Sequence, residues 1–418
     1  MAKKTSQTQE LVYPWNEHAS EPSPGLEKVE LVDETLRDGL QSPSVATPDL
    51  EDRLALVRLM AQLGIDRVSI GLPGAGDMHF RTSLDLASQI TAENLAIHMT
   101  AAARTVVQDI APVVDISQKI GRRISVYTFI GTSPIRQLVE DWSLQRILER
   151  VVEAVGFAAR EGLDAVLVLE DTTRTPPHTL EQVFTAGIEA GARTLCLCDT
   201  VGYSNPDGVR ELLRFTRQVI ARTGEAVSID FHGHNDRGLA TINALAAARY
   251  GADRIHGTAN GVGERVGNCS MEQLLVNLEL DGYGRRDLSA LNDYAQLASR
   301  MLAYPIPISA PIVGHDAFRT ATGVHAAAIL KAQKKGDHWL ANRVYSSVPA
   351  ELIGREQEIE IGGMSGRSNV KFWLERRGIP ADDELVSRIL DFAKHHNRLL
   401  SHDEIDAIIK KYFHNPEN

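Results

Sequence analysis

Two histidines stand two residues apart at the end of an apolar run, Val227-Ser228-Ile229-Asp230-Phe231-His232-Gly233-His234. On an extended strand side chains repeat with a period of two, so both imidazoles face the same way. Two neutral imidazoles aimed together can hold one divalent cation when oxygen ligands complete the set. The chain offers oxygens at two places: the Asp38 carboxylate in Arg37-Asp38-Gly39, and the Asn268 amide closing the run Gly261-Val262-Gly263-Glu264-Arg265-Val266-Gly267-Asn268. Each also has a plainer reading, Asp38 as a cap before a turn and Asn268 as a turn residue. A mixed nitrogen and oxygen set with open positions suits Mn²⁺, Mg²⁺, Zn²⁺ or Co²⁺ without choosing among them. Arg37, beside Asp38, would stabilise an oxyanion developing on a bound carbonyl, or pair with Glu34.

These residues are far apart in sequence, and a fold must gather them. Apolar, β-branched runs recur at Val29–Asp33, Arg67–Leu72, Leu95–Thr100, Arg123–Phe129, Ala165–Leu169, Thr194–Cys198, Val227–Phe231 and Arg254–Gly257. Helix-like segments lie between them, among them Asp49–Leu63, Leu180–Ala190, Asn205–Arg222 and Met271–Leu280. Thr47-Pro48-Asp49 and Ser204-Asn205-Pro206 place capping residues beside proline. This alternation predicts an α/β fold, a (β/α)8 TIM barrel, rather than an open doubly wound sheet, whose first strand is usually followed by Gly-x-Gly-x-x-Gly. The expected organisation is an N-terminal arm over 1–28, a barrel over 29–285 and a helix-rich C-terminal region over 286–418. Barrel chemistry sits at the C-terminal strand ends. Charged and hydroxyl residues gather there: Asp38 after the first strand, Glu170 after the fifth, Thr200 after the sixth. Ser133, His98 and Arg104 are further expected partners for a substrate carboxylate.

The 418 residues carry a net charge of −11, which argues against nucleic acid or an anionic membrane as partner. No apolar run is long enough for a transmembrane span and no signal-peptide pattern opens the chain, so a cytoplasmic protein is expected. Cys196, Cys198 and Cys269 are read as buried reduced thiols.

The segment Asp33-Glu34-Thr35-Leu36-Arg37-Asp38-Gly39-Leu40-Gln41 resembles the opening motif of the 2-isopropylmalate synthase and homocitrate synthase family. His232-Gly233-His234-Asn235-Asp236 and Asn260 through Asn268 resemble two more of its motifs, and Gly323-Val324-His325, Tyr345 and Ser365-Gly366-Arg367 continue the pattern. The resemblance implies a metal-dependent barrel that condenses acetyl-CoA with a 2-oxo acid and hydrolyses the thioester. It implies Asp38, His232 and His234 as metal ligands with Asn268 on or near the metal, and Arg37, Glu170, His325 and Tyr345 as catalytic residues. Gln41, His98, Ser133 and Thr200 would touch substrate. It further implies a homodimer in which the C-terminal segment reaches the partner's site, and no regulatory domain after residue 418. The family usually has Glu where this chain has Leu40; leucine at that place resembles the related hydroxymethylglutaryl-CoA lyases, whereas Gly263-Glu264-Arg265 favours the synthases.

Overall fold

The structure is a computed structural model and describes residues 11–13, 16, 29–283 and 286–414. The expected N-terminal arm lies almost wholly outside the described residues. Eight parallel strands close into a barrel: β1 (Glu30–Asp33), β2 (Arg67–Ser69), β3 (His98–Arg104), β4 (Ser125–Gly131), β5 (Asp164–Glu170), β6 (Thr194–Asp199), β7 (Ser228–Gly233) and β8 (Arg254–Gly257). Closure is made by β8 against β1, with Val32 opposite His256 and Asp33 opposite Gly257. That pairing removes the open sheet as an alternative.

Each strand sends alternate residues outward against the helices and inward to the barrel axis. On β5, Leu167 and Leu169 face out into the main core while Val166 and Val168 join an inner cluster with Tyr127, Cys196 and Cys198. Helix entries follow the expected chemistry with one shift. Asn205 caps the helix Pro206–Thr223 by accepting from Gly208 N at 2.9 Å. The helix Leu50–Gln62 is capped by Asp49, not by Thr47, so Pro48 lies outside it.

One strand departs from the expectation in a way that matters for the site. The apolar run Leu95–Thr100 is only partly strand: β3 begins at His98 and continues through Ala101-Ala102-Ala103 to Arg104. Alanines are poor strand formers, so the run seemed to end early; barrel packing overrides that preference. His98 therefore opens the strand instead of closing it, and it does not reach the catalytic end. Its Nε2 meets Ser125 Oγ at 2.8 Å, at the start of β4.

Beyond the barrel, the helix Leu291–Met301 packs back on it through Tyr294, whose hydroxyl donates to the buried Asp33 carboxylate. Further on, β9 (Arg319–Thr320) pairs with β10 (Glu358–Ile359). Helices Arg367–Glu375, Asp383–Lys394 and His402–His414 close a second core around Trp373, Leu385 and Ile405. Ser401 accepts from Glu404 N at 3.3 Å while Glu404 takes Ser401 N at 2.9 Å, a capping box that starts the last helix. Among the described residues, no helix is long and apolar enough to cross a membrane.

Candidate metal centre and its cavity

At the C-terminal end of the barrel the inward residues stop filling space and leave a cavity of about 270 Å³. Asp38 enters it from the turn after β1, and His232 and His234 from the end of β7. The two imidazole Nε2 atoms face each other at 3.2 Å, and Asp38 Oδ2 stands 3.5 Å from one and 3.6 Å from the other. The three ligand atoms lie within 4.8 Å of one another. All three residues are buried.

The electrostatics prepare this cluster for a cation. Burial alone would raise the Asp38 carboxyl, but the Arg37 guanidinium and the two histidines outweigh it and hold it well below the usual range. Burial, then the neighbouring His232, drives His234 down to about 3, so it is a neutral imidazole with a free lone pair at neutral pH. Asn268 donates Nδ2 to Asp38 Oδ2 at 2.8 Å. Its Oδ1 and His234 Nδ1 are buried without a hydrogen-bond partner. A buried polar cluster with open valences is costly unless something completes it, and a divalent cation fits this donor set.

The glycine-rich loop makes the approach of Asn268 possible. A Cβ on Gly263 would stand 2.2 Å from Asn268 Nδ2, and one on Gly267, at φ +93°, would stand 1.9 Å from Gly261 O. The loop is tied to the β7 end by Asn235 N donating to Gly267 O at 2.9 Å.

Around the cluster, the half-buried Arg37 is held against Glu34 by a direct ion pair and lies 3.8 Å from Asp38. The pairing with Glu34 read from the sequence is present, and it holds the guanidinium beside Asp38. Glu170 closes β5 on the opposite wall, with Arg136 at 3.1 Å. Burial raises its carboxyl despite that arginine. Thr200 lines the cavity and accepts from Asp171 N at 2.8 Å; Gln41 also lines it.

Of the residues singled out in the sequence, Arg37, Asp38, Gln41, Glu170, Thr200, His232 and His234 line one cavity, and Asn268 sits behind Asp38. Others do not join them. His98 is at the other end of the barrel. Ser133 caps the helix Pro134–Glu140 and does not line the cavity. His325 and Tyr345 stack on each other at 3.9 Å between ring centroids and do not line the cavity. Leu40 does not line the cavity either; it packs against the barrel core. Arg104 projects outward and pairs with Asp109.

Tyr127, Phe129, Val168, Cys196, Cys198 and His256, none of them singled out as site residues from the sequence, form the walls and floor. The signal was available. The two-residue period that aligns His232 with His234 also aligns Tyr127 with Phe129, Val168 with Glu170 and Cys196 with Cys198.

Residues 28–299 match the family model described as HMGL-like. The chain belongs to the HMGL-like family. Among its relatives are a probable 2-isopropylmalate synthase of Methanopyrus kandleri, 32% identical over 87% of this chain and 69% of that one. A 2-isopropylmalate synthase of Sulfolobus acidocaldarius is 30% identical, with 92% and 95% covered. A putative (R)-citramalate synthase of Methanopyrus kandleri is 33% identical over 87% and 68%. The motif-based expectation of the synthase family therefore holds for this HMGL-like chain. The Bacillus subtilis HMG-CoA lyase structure superimposes with a TM-score of 0.57 at 21% identity, covering 69% of this chain and 97% of that one. That likeness speaks for the barrel fold alone.

Proposed function

We propose that the protein condenses acetyl-CoA with a 2-oxo acid and hydrolyses the resulting thioester, as an acyl-CoA:2-oxo acid C-acyltransferase of the 2-isopropylmalate synthase type. The observation that carries this reading is the convergence of a metal-ready Asp38, His232 and His234, a half-buried cationic Arg37 and a carboxylate of raised pKa, Glu170, in one cavity. A divalent cation held by Asp38, His232 and His234, with Asn268 beside it, would supply Lewis acidity to the acceptor's carbonyl.

The residues divide the remaining tasks. Thr200 and Gln41 hold the 2-oxo acid's carboxylate by hydrogen bonds. Glu170, kept basic enough by burial, takes a proton from the acetyl methyl group. Arg37 stabilises the negative charge that builds on the acceptor's carbonyl oxygen as the new carbon–carbon bond forms. Its ion pair with Glu34 fixes the guanidinium in advance, so little reorganisation is needed in the transition state. Phe129, Val168, Tyr127 and Cys196 offer a largely apolar wall to the acceptor's side chain, which favours 2-oxoisovalerate or pyruvate over a dicarboxylic acceptor.

His325 and Tyr345 act, in this reading, at the site of a second subunit in a homodimer. Tyr345 is 50% exposed on its own chain, and the stacked rings are available to a neighbour. The reaction uses dissolved small molecules, in keeping with a cytoplasmic enzyme.

The test is CoA release from acetyl-CoA with Mn²⁺ or Mg²⁺, across 2-oxoisovalerate, pyruvate, 2-oxoglutarate and oxaloacetate. Release is expected with one of the first two and is abolished by Asp38→Ala. Cleavage of a 3-hydroxyacyl-CoA without any 2-oxo acid, and no release in the screen, would replace this reading with a lyase.

A further inference from the structure

We propose that Cys196 and Cys198 form a second, soft-metal site in the wall of the cavity, one that takes a thiophilic divalent cation such as Zn²⁺ or Cd²⁺. The two thiols are residues i and i+2 of β6 and point to the same inner face. Their sulfurs stand 3.9 Å apart. Both are free thiols, and both line the cavity. Two sulfurs bound to one tetrahedral cation at about 2.3 Å each are themselves about 3.8 Å apart. The strand thus presents the pair at the bite a soft cation requires, with no backbone movement.

A disulfide is the less suitable fate for this pair. It needs the sulfurs at about 2.05 Å, and adjacent same-face residues of an extended strand lie near the upper limit of the permitted Cα spacing. The pair is chemically distinct from the Asp38, His232 and His234 cluster, which contains no sulfur. Thiolates select soft cations, whereas a carboxylate and imidazoles accept harder ones. The third cysteine, Cys269, belongs to neither site; its sulfur lies 3.9 Å from Thr241 Oγ1.

Binding is a simple exchange. Each thiol gives up its proton as its sulfur bonds to the cation, so two protons are released per ion and nothing is oxidised or reduced. The remaining positions of the cation open to the cavity, where water or a substrate oxygen can enter. An ion there would stand against Val168 and Tyr127 and narrow the space offered to the acceptor. Soft cations are therefore expected to inhibit at concentrations where Mn²⁺ supports activity.

The experiment is titration of the reduced protein with Cd²⁺ in the presence of saturating Mn²⁺, read by the thiolate-to-cadmium absorption band and by proton release. Wild type and Cys269→Ser should each develop the band and saturate at one thiolate-bound ion per chain. Asp38→Ala should do the same, because the hard site is not involved. Cys196→Ser and Cys198→Ser, each checked for native circular dichroism, should lose at least half the band and bind roughly tenfold or more weakly. Absence of the band in wild type, or a full band in both serine variants, would overturn the proposal.

Discussion

The barrel interior holds two layers that use the same kinds of residue to opposite ends. In the lower layer the carboxylates and guanidinium groups pair with one another, while His256 Nδ1 lies 3.5 Å from Glu34 Oε1 without a hydrogen bond. Glu30 receives Arg67 at 3.0 Å and Arg254 at 2.9 Å, and Arg254 reaches on to Asp230 at 2.9 Å. Tyr127 donates to the same Asp230 at 2.6 Å, and His256 Nε2 lies 3.3 Å from it. Burial would raise Asp230, but His256 and Arg254 outweigh it and keep it ionised. In the upper layer, two imidazoles and a carboxylate crowd one point, and His234 Nδ1 and Asn268 Oδ1 are left unpartnered. A network of paired charges resists change, while imidazoles and a carboxylate crowded at one point invite a cation; His256 and Tyr127 stand at the border between the two. The lower layer is a polar plug that holds strands β1, β2, β7 and β8 in register; the upper layer is the place for chemistry.

The comparison can be broken most severely at Glu170. Glu170→Gln should lower kcat by roughly 10²–10⁴-fold, while Mn²⁺ binding and the melting temperature stay near wild type. Steady-state kinetics beside metal titration checks this; a variant that keeps its kcat removes Glu170 from the reaction. Next comes Asp230→Ala, which takes the buried acceptor from Tyr127 and His256 and leaves Arg254 with Glu30 as its remaining carboxylate. It should cost about 3–5 kcal/mol in urea unfolding. A loss well under that would mean the plug is not a stabilising unit.

Smaller effects sharpen the border between the layers. Asn268→Ala should weaken Mn²⁺ binding by roughly 10–100-fold, as loss of a residue that orients a metal ligand does. Gly263→Ala should follow it, because its Cβ would occupy the space of the Asn268 amide. Equal metal affinity in wild type and both variants would show that the loop does not serve the centre. The smallest effect belongs to His98→Asn. It lies in the lower layer, so KM for the 2-oxo acid should not move, and stability should fall by at most ~1 kcal/mol. A large rise in KM would return His98 to the substrate site.

Much of the upper layer was legible in the sequence, because its signals are local. His232 and His234 share a face by strand period alone, and Asp38 and Asn268 lie in short segments rich in polar and turn residues. Glu170 and Thr200 followed from strand ends. The errors have physical causes too. Ala101-Ala102-Ala103 hid the true span of β3, which moved His98 to the wrong end. Ser133, expected to touch substrate, caps the helix Pro134–Glu140, a role its hydroxyl at a strand end serves equally well. The lower layer was not legible at all. Glu30, Arg67, Asp230 and Arg254 come from four strands, and their pairing exists only once the barrel closes. His325 and Tyr345 are a third case, since their proposed site lies in another subunit. Mixing Asp38→Ala with His325→Ala protein should restore roughly a quarter of wild-type activity if subunits exchange and share sites.

The most direct measurement is Mn²⁺ binding followed by electron paramagnetic resonance in wild type and Asp38→Ala, with and without the 2-oxo acid. One tightly bound ion per wild-type chain is expected, with a change in its signal when the 2-oxo acid is added and loss of tight binding in the variant. Tight binding that survives Asp38→Ala, with an acid-dependent signal still present, would contradict this expectation.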